Sequence, residues 1–273
     1  LQEFLNPLQS EQHAQIRLWE DAAGRLLAYA NVSLPNCNLS FLIHPAQQQA
    51  EILEEVLTYA GEVIRRFNRE SGEEHTLDVH CRDSDEQTLQ VLLNAGFERQ
   101  AEKVPVLVRS LDGSLAEPQL PPGFKLRYVT GAQEVEQCVE LHRAAFGTQR
   151  MTVEIRLSIM QEPDYDPRGD LVIEALDGTF VAYCICQVHP EEKAQSGRNW
   201  GYTDPVGVRP EFQRRGLGKA VLQSGLCYLQ RRGVEKASFM TSSENTAMLG
   251  LGASLGFRNV YSYLWLSKKV SEG

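Results

Sequence analysis

Apolar positions in the first part of the chain follow two spacings in turn. Alternation over 16–34, interrupted by an Ala23-Gly24 turn, and over 38–43 predicts three strands. From Ile52 to Phe67 apolar residues recur every three or four positions, which predicts an amphipathic helix that Gly72 closes. The other elements expected here are strands over 77–81 and 104–108 and a helix over 86–95.

The same order of patterns returns after residue 124. The elements expected there are strands over 125–129, 171–176, 180–188, 200–208, 237–240 and 260–266 and helices over 135–146, 153–160, 217–231 and 246–255. Asp177-Gly178 predicts a tight hairpin turn because this pair tolerates positive φ. The run from Pro45 to Gly96-Phe97 matches the run from Pro210 to Gly256-Phe257, so one fold occurs twice. The first copy lacks the opening strand and two helices of the second.

The turn-forming residues between the two copies, Gly113, Pro118, Pro121, Pro122 and Gly123, predict a linker. We therefore expect a first domain over 1–109, a linker over 110–123 and a second domain over 124–273. Residues 1–110 hold 9 Lys and Arg against 17 Asp and Glu, while the remainder holds 18 against 19. An acidic first half argues against a nucleic acid partner, and no apolar run approaches the roughly 20 residues of a membrane helix.

The cysteines show no zinc-ligand spacing. Cys184 and Cys186 alternate with Ile185 in an apolar run, so we interpret them as buried strand residues. We expect no metal site, and reduced thiols fit a cytoplasmic protein.

The strongest chemical signal is the glycine-rich stretch 206–220, between a predicted strand and a predicted helix. A glycine turn at a helix start leaves backbone N–H groups unpaired beside the positive end of the helix dipole, which favours phosphate. Arg214, Arg215 and Lys219 add positive charge. The spacing excludes a Walker loop, because Lys219 is followed by Ala220, and it excludes a GxGxxG fingerprint, because Val221 stands at the last position.

The run Gln213-Arg214-Arg215-Gly216-Leu217-Gly218 resembles the Gln/Arg-x-x-Gly-x-Gly/Ala loop of the GNAT N-acetyltransferase superfamily. Asn245 and Leu255-Gly256-Phe257 stand at that family's usual distance. The two halves are similar to the tandem arrangement of mycothiol-synthase-like acetyltransferases. The resemblance implies an α/β protein with tandem GNAT-like domains, each a mixed, mostly antiparallel twisted sheet flanked by helices.

By this resemblance the second domain binds acetyl-CoA as co-substrate. Backbone groups at a splayed strand end would meet the thioester and pantetheine, the glycine loop would hold the pyrophosphate, and Asn245 would bind the pantetheine arm, unless it is only a helix cap. The implied donor-binding residues are Val206, Gly207, Val208, Gln213, Arg214, Arg215, Gly216, Leu217, Gly218, Lys219 and Asn245.

Amine acetylation also needs a base and an oxyanion donor. The Val208 N–H is the donor implied by the resemblance. Asp204 is our candidate base because it stands four residues before Val208, and strict alternation places both on one face of the strand; Tyr202 shares that face. Many family members carry a tyrosine acid where this chain has Gly252. Tyr202, Tyr261 and Tyr263 are the candidate replacements.

The first copy departs further from the pattern. Glu51 and Leu53 stand where the second copy has Gly216 and Gly218, so we expect no cofactor there. The acidic stretch 162–170 lacks calcium-loop spacing, so we interpret it as a solvated loop. In the family that the chain resembles this region lines the acceptor pocket, and by that resemblance its charge implies a cationic amine. His189 is interpreted as a turn residue.

These features predict direct transfer of an acetyl group from acetyl-CoA to a primary amine of a small molecule or peptide, because no Cys or Ser stands in a base-coupled nucleophile motif. A non-catalytic acyl-CoA-binding or regulatory module is the alternative, and a structural domain without cofactor is a third.

Overall fold

The computed structural model describes residues 14–34, 36–44 and 49–270. The chain packs as two compact units. Unit 1 comprises 1–105, 242–244 and 261–273, and unit 2 comprises 106–241 and 245–260. These units do not follow the predicted division at a linker, because residues 263–269 pair with a strand of unit 1 and 106–110 pair with a strand of unit 2. Pro45, the first mark of the internal repeat, lies outside the described residues.

The described part of the chain alternates strands and helices. The strands are β1 Ala14–Glu20, β2 Leu26–Ser33, β3 Asn38–Ile43, β4 Thr76–Arg82, β5 Glu98–Ser110, β6 Phe124–Tyr128, β7 Asp170–Ala175, β8 Phe180–Val188, β9 Trp200–Val208, β10 Lys236–Met240 and β11 Arg258–Lys269. The helices are α1 Gln49–Ser71, α2 Glu86–Asn94, α3 Val135–Phe146, α4 Val153–Met160, α5 Pro190–Ser196, α6 Leu217–Arg231 and α7 Thr246–Ser254.

Unit 1 contains a sheet in the order β1-β2-β3-β4-β11. The pairing is antiparallel except between β3 and β4, which are parallel at Asn38↔Asp78 and Leu39↔Val79. The core on one face joins the strands to the apolar stripe of α1, where Val56 and Ile64 are fully buried. The crossover helix between parallel strands therefore buries the stripe that the sequence predicted.

Unit 2 contains a sheet in the order β5-β10-β9-β8-β7-β6, and only the β9–β10 pair is parallel. Helix α6 covers one face, where a Cβ added to Gly225 would lie 2.9 Å from Cys186 Sγ and 3.1 Å from Cys184 Sγ. Helices α3 and α4 cover the other face, which includes Phe180 and Tyr183. The predicted fold class, a mixed and mostly antiparallel sheet flanked by helices, is confirmed.

Most predicted elements form within a few residues of their expected bounds. The predicted helices 135–146 and 153–160 are found unchanged, and Cys184 and Cys186 are buried as predicted. The loop expected after His189 is wrong: Pro190–Ser196 forms a helix, with His189 at its N-cap. This helix is short and polar, so it has no apolar period to detect. None of the described helices is long and apolar enough to cross a membrane.

Candidate active site

Strands β9 and β10 separate part-way along their length. They pair in parallel from Trp200↔Lys236 to Tyr202↔Ser238, and β9 then continues to Val208 while β10 ends at Met240. The other edge of β9 stays paired with β8 to the end of the strand, where the Arg209 N–H donates to the Val181 oxygen over 2.9 Å. Unit 2 therefore has an opening beside the last residues of β9.

Alternation along β9 decides which backbone groups face this opening. Hydrogen-bonded and non-hydrogen-bonded positions alternate in an antiparallel pair, so Gly207 shares the orientation of Arg209 toward β8. The N–H and C=O groups of Val206 and Val208 then point to the opposite edge, from which β10 has departed. The structure thus places two of the three predicted backbone residues at the opening.

Gly207 does not fit its predicted role, because its backbone groups face β8. Its lack of a side chain serves packing instead: a Cβ there would lie 2.6 Å from Tyr183 Cε1 and 2.9 Å from Ala145 Cβ. Only glycine allows α3 and Tyr183 to approach β9 this closely.

The glycine loop turns directly from the end of β9 into α6. Arg214 and Gly216 both have positive φ, 59° and 85°, and Gly216 is the N-cap of the helix. The N–H groups of 214–219 donate no hydrogen bond to the described residues, and the first intrahelical bond at this end runs from the Ala220 N–H to the Gly216 oxygen. A row of free donors at the positive end of a 15-residue helix is an anion site.

The side chains of the loop contribute unequally. Arg214, Arg215 and Lys219 are exposed on the same short segment as the free N–H groups, and Arg215 Nη2 donates to the Glu211 oxygen over 3.2 Å. Leu217 is 1% exposed and belongs to the core, which leaves only its backbone for a ligand. Gln213 donates from Nε2 to the Val208 oxygen over 3.3 Å, which ties the loop to the strand end.

Gly218 brings the helix start close to the opening. A Cβ at this position would lie 3.4 Å from Val208 Cγ2 and 3.5 Å from Leu251 Cδ2. Asn245 caps α7, because its Oδ1 accepts from the Met248 N–H over 3.1 Å. Capping uses the oxygen of this exposed side chain and leaves the Nδ2 donor for a ligand.

A bulge in β9 changes the predicted orientation of Asp204. The register between β8 and β9 shifts between Cys184 and Cys186. Thr203 Cγ2 and Val208 Cγ2 both approach glycines of α6, although five positions separate the two residues. The expectation that Asp204 and Val208 share a face is therefore wrong, because it assumed unbroken alternation; Asp204 follows Thr203 and faces the side of α3.

Asp204 is a half-buried carboxylate without a hydrogen bond or ion pair to the described residues. Burial raises its pKa to about 6. Such a group is ionised at neutral pH and still able to accept a proton. Its charge contributes to raising the pKa of Tyr183, after burial as the main cause.

Tyr202 lies on the side of α3 together with Asp204, since both are neighbours of Thr203, whose side chain faces α6. Its hydroxyl donates to Glu192 Oε2 over 2.5 Å, and its ring centroid lies 5.5 Å from that of His189. His189 Nδ1 in turn lies 3.1 Å from Asp164 Oδ2. The residues interpreted as a solvated loop and a turn thus meet the candidate catalytic face.

Comparison with known proteins decides the family. The Acetyltransferase (GNAT) family model matches residues 135–257, which include the opening, the glycine loop and Asn245. A GCN5-related N-acetyltransferase structure from Sphaerobacter thermophilus superposes with a TM-score of 0.75 at 24% identity, covering 96% of this chain and 82% of that one. Residues 135–257 are a GNAT domain. A tandem GNAT protein from the clavulanic acid biosynthesis pathway superposes with a TM-score of 0.72 at 17% identity, covering 96% of this chain and 85% of that one.

Curated relatives of this GNAT chain have one name. The mycothiol acetyltransferase of Saccharomonospora viridis is 26% identical over 255 residues, which is 88% of this chain and 79% of that protein. The mycothiol acetyltransferase of Thermobispora bispora is 33% identical over 170 residues, which is 60% of this chain and 57% of that protein.

The surroundings of Gly252, the residue predicted to replace a tyrosine acid, are filled. A Cβ there would lie 2.7 Å from Phe239 Cζ and 3.4 Å from Leu107 Cδ2. Two of the replacements considered, Tyr261 and Tyr263, lie in unit 1, where their rings pack around Arg82. In this GNAT chain a tyrosine at 252 would have to displace Phe239.

Sequence reasoning missed a polar cluster beneath the α3 side of the sheet. His142 Nδ1 lies 2.6 Å from the Tyr183 hydroxyl, and burial lowers the pKa of His142 to about 4, so its ring is neutral near pH 7. Arg156 and Asp170 form a buried ion pair. The detectable signal was the single arginine of helix Val153–Met160, which stands between the apolar residues Ile155 and Leu157.

No group of three or more His, Cys, Asp or Glu side chains able to hold a metal ion occurs in the described ranges.

Proposed function

We propose that unit 2 transfers the acetyl group of acetyl-CoA directly to a primary amine of a small molecule. The observation that supports this most is the junction of two features: the strand edge at Val206 and Val208, from which β10 has separated, and the free N–H row at the start of α6. An extended pantetheine arm can pair with a free strand edge, and a pyrophosphate can bind the helix start. Family membership and the shared name of the curated relatives support the same donor and reaction class.

The residues of this chain have separate roles in the proposed transfer. Asp204, with a pKa of about 6, accepts the proton of the attacking amine on the side of α3. The Val208 N–H, free of β8, donates to the oxygen that becomes negative in the tetrahedral intermediate. Val206, Gln213–Lys219 and Asn245 hold the donor. Tyr202 orients the acceptor side through Glu192 and His189.

The acceptor side is acidic. Glu162, Asp164 and Glu192 lie around His189 and Tyr202, and burial raises the pKa of Glu162. Such a wall favours a protonated amine over an anionic compound during binding. The name of the curated relatives, mycothiol acetyltransferase, adds amine precursors of mycothiol to the amines worth testing.

The test is release of free CoA thiol from acetyl-CoA in the presence of a panel of small amines, comparing the wild-type protein with Asp204→Asn. We expect at least one amine to be acetylated, and we expect the variant to bind acetyl-CoA normally but to turn over about 100-fold more slowly, the usual contribution of a general base. Turnover that is equal in both proteins would remove Asp204 from the mechanism.

A non-catalytic acyl-CoA-binding or regulatory module is a second candidate, favoured by the absence of a tyrosine at Gly252 and the filled space beside it. A thiol has a pKa near about 8.5, so the leaving thiolate needs little help from an acid. Tight binding of acetyl-CoA with no turnover of any amine would select the binding module.

A further inference from the structure

Residues 161–169, which we name the acceptor loop, begin after α4 and end where β7 begins. Arg156 on α4 and Asp170 at the start of β7 flank it, and their ion pair closes the loop at its base. Arg156 is 4% exposed and Asp170 is 1% exposed. This closure is therefore held away from water.

The ion pair is an expensive way to stabilise a fold. Taking both charges out of water costs about as much as their attraction returns. Arg156 Nη1 and Asp170 Oδ1 are also buried without a hydrogen-bond partner in the described structure. Each unpaired buried polar group lowers the stability of the fold, because it has lost its hydrogen bonds to water. An apolar pair would serve stability better, so a role in fixing one loop conformation accounts for the pair more directly.

Tyr165, in the middle of the acceptor loop, bonds back to this pair. Its hydroxyl donates to Asp170 Oδ2 over 2.6 Å. Burial, and then the adjacent carboxylate, raise the pKa of Tyr165, so the hydroxyl remains a donor throughout the neutral range. The loop is thereby tied at its centre as well as at its base.

The neighbours of Tyr165 connect this tie to the candidate catalytic face and to the C-terminal end of α6. Asp164, one residue before it, contacts His189, which lies against Tyr202 on the face of Asp204. Asp166, one residue after it, accepts from the Tyr228 hydroxyl over 2.9 Å and from Arg232 over 2.8 Å, and both donors lie on or directly after α6. Release of Tyr165 would free the segment that places Asp164.

We propose that Tyr165 is a positioning residue for the acceptor: bonded to the buried Asp170–Arg156 pair, it holds the acceptor loop so that Asp164 and His189 stand beside Tyr202 and Asp204. The inference rests on the proposed acetyl transfer. Tyr165 touches neither donor nor acceptor, and it acts through the loop.

The test compares Tyr165→Phe, which removes only the hydroxyl, with Tyr128→Phe, a control at a tyrosine that is 44% exposed on β6 of the same unit. In Tyr165→Phe we expect KM for the amine to rise about ten-fold with kcat within about two-fold, because loose placement weakens acceptor binding. The Kd of acetyl-CoA should stay unchanged, and amide hydrogen exchange over 161–169 should accelerate. Tyr128→Phe should match the wild type in all of these.

A merely structural role would lower Tm without moving KM and kcat apart. An unchanged KM in a Tyr165→Phe protein whose wild type is active overturns the inference and leaves the proposed function standing. Equal shifts in both variants also overturn it. Absence of turnover in the wild type with every amine overturns the proposed function itself, and the inference with it.

Discussion

The crossover β3–α1–β4 of unit 1 and the crossover β9–α6–β10 of unit 2 have one backbone plan and different chemistry. In both, a short parallel pairing ends while the first strand continues, to Ile43 in unit 1 and to Val208 in unit 2. Helix α1 has Glu51 in its first turn and buries Leu53, whereas α6 begins with Gly216 and Gly218. The comparison teaches that topology creates the opening, and that a few residues at the helix start decide whether an anion can reach it.

The largest effect should come from copying the unit 1 residue into unit 2. Gly216→Glu places a carboxylate at the anion site and forces a side chain onto a residue with φ of 85°. We expect acetyl-CoA binding to weaken about 100-fold or more in a calorimetric titration. Gly233→Glu is the matched control, because Gly233 follows the other end of the same helix with φ of 73° and open space. Equal losses in both variants would mean that strain, rather than the anion site, was disturbed.

The next effect concerns the base on the α3 side of β9. Since Asp204 must be deprotonated to accept a proton and burial raises its pKa to about 6, kcat/KM should fall about ten-fold per pH unit below 6 and level off above it. A pH–rate profile with a fixed acetyl-CoA concentration measures this. Persistence of the acidic limb in Asp204→Asn would assign the titration to another group.

A smaller effect tests the charges around the free N–H groups. Replacing Arg214, Arg215 or Lys219 singly by Ala should weaken acetyl-CoA binding about three- to ten-fold, because each is an exposed cation near a polyanion. The loss should shrink as salt is raised. Arg69→Ala, at the end of α1 in unit 1, is the control and should leave binding unchanged. Salt-independent losses would contradict an electrostatic role.

The stability of unit 2 should also depend on the ionisation of the Asp204 carboxylate. The pKa of Asp204 is raised from 3.8 to about 6, so its ionised form destabilises the native state. The loss of stability reaches about 3 kcal/mol at most above pH 6, and it is absent below pH 4, where the carboxyl is protonated in both states. Asp204→Asn should therefore raise Tm at pH 8 and leave it unchanged at pH 3.5. Denaturation at both pH values gives the answer, and a lower Tm at pH 8 would show that Asp204 has a stabilising partner.

The smallest expected effect completes the comparison. We expect one acetyl-CoA per chain, and Glu51→Gly should leave that stoichiometry at one, because Leu53 remains buried in the unit 1 core. Titration of the variant to saturation measures it. A second equivalent of acetyl-CoA would show that Glu51 alone closes the unit 1 crossover.

Local signals made much of the site predictable. Three features of the sequence are short-range: the glycines at the start of α6, the cations beside them and the apolar period of α1. The structure has each of them at the predicted place. The orientation of Asp204 was predicted wrongly, because a bulge breaks the alternation of β9. The adjacent Pro205, which has no N–H for a strand ladder, was the local signal for that bulge. The backbone role of Gly207 failed for a related reason: pairing with β8 decides its direction.

The sequence by itself determined the element order, the internal repeat and the glycine-rich helix start, because these depend on periods and residue types within a few positions. Only the tertiary structure decided that β11 pairs with β4 and that Tyr165 reaches Asp170 beneath the acceptor loop. It also decided that Phe239 fills the space beside Gly252. Such contacts join residues distant in the chain, and packing and desolvation, which select among them, act only once the sheet has assembled.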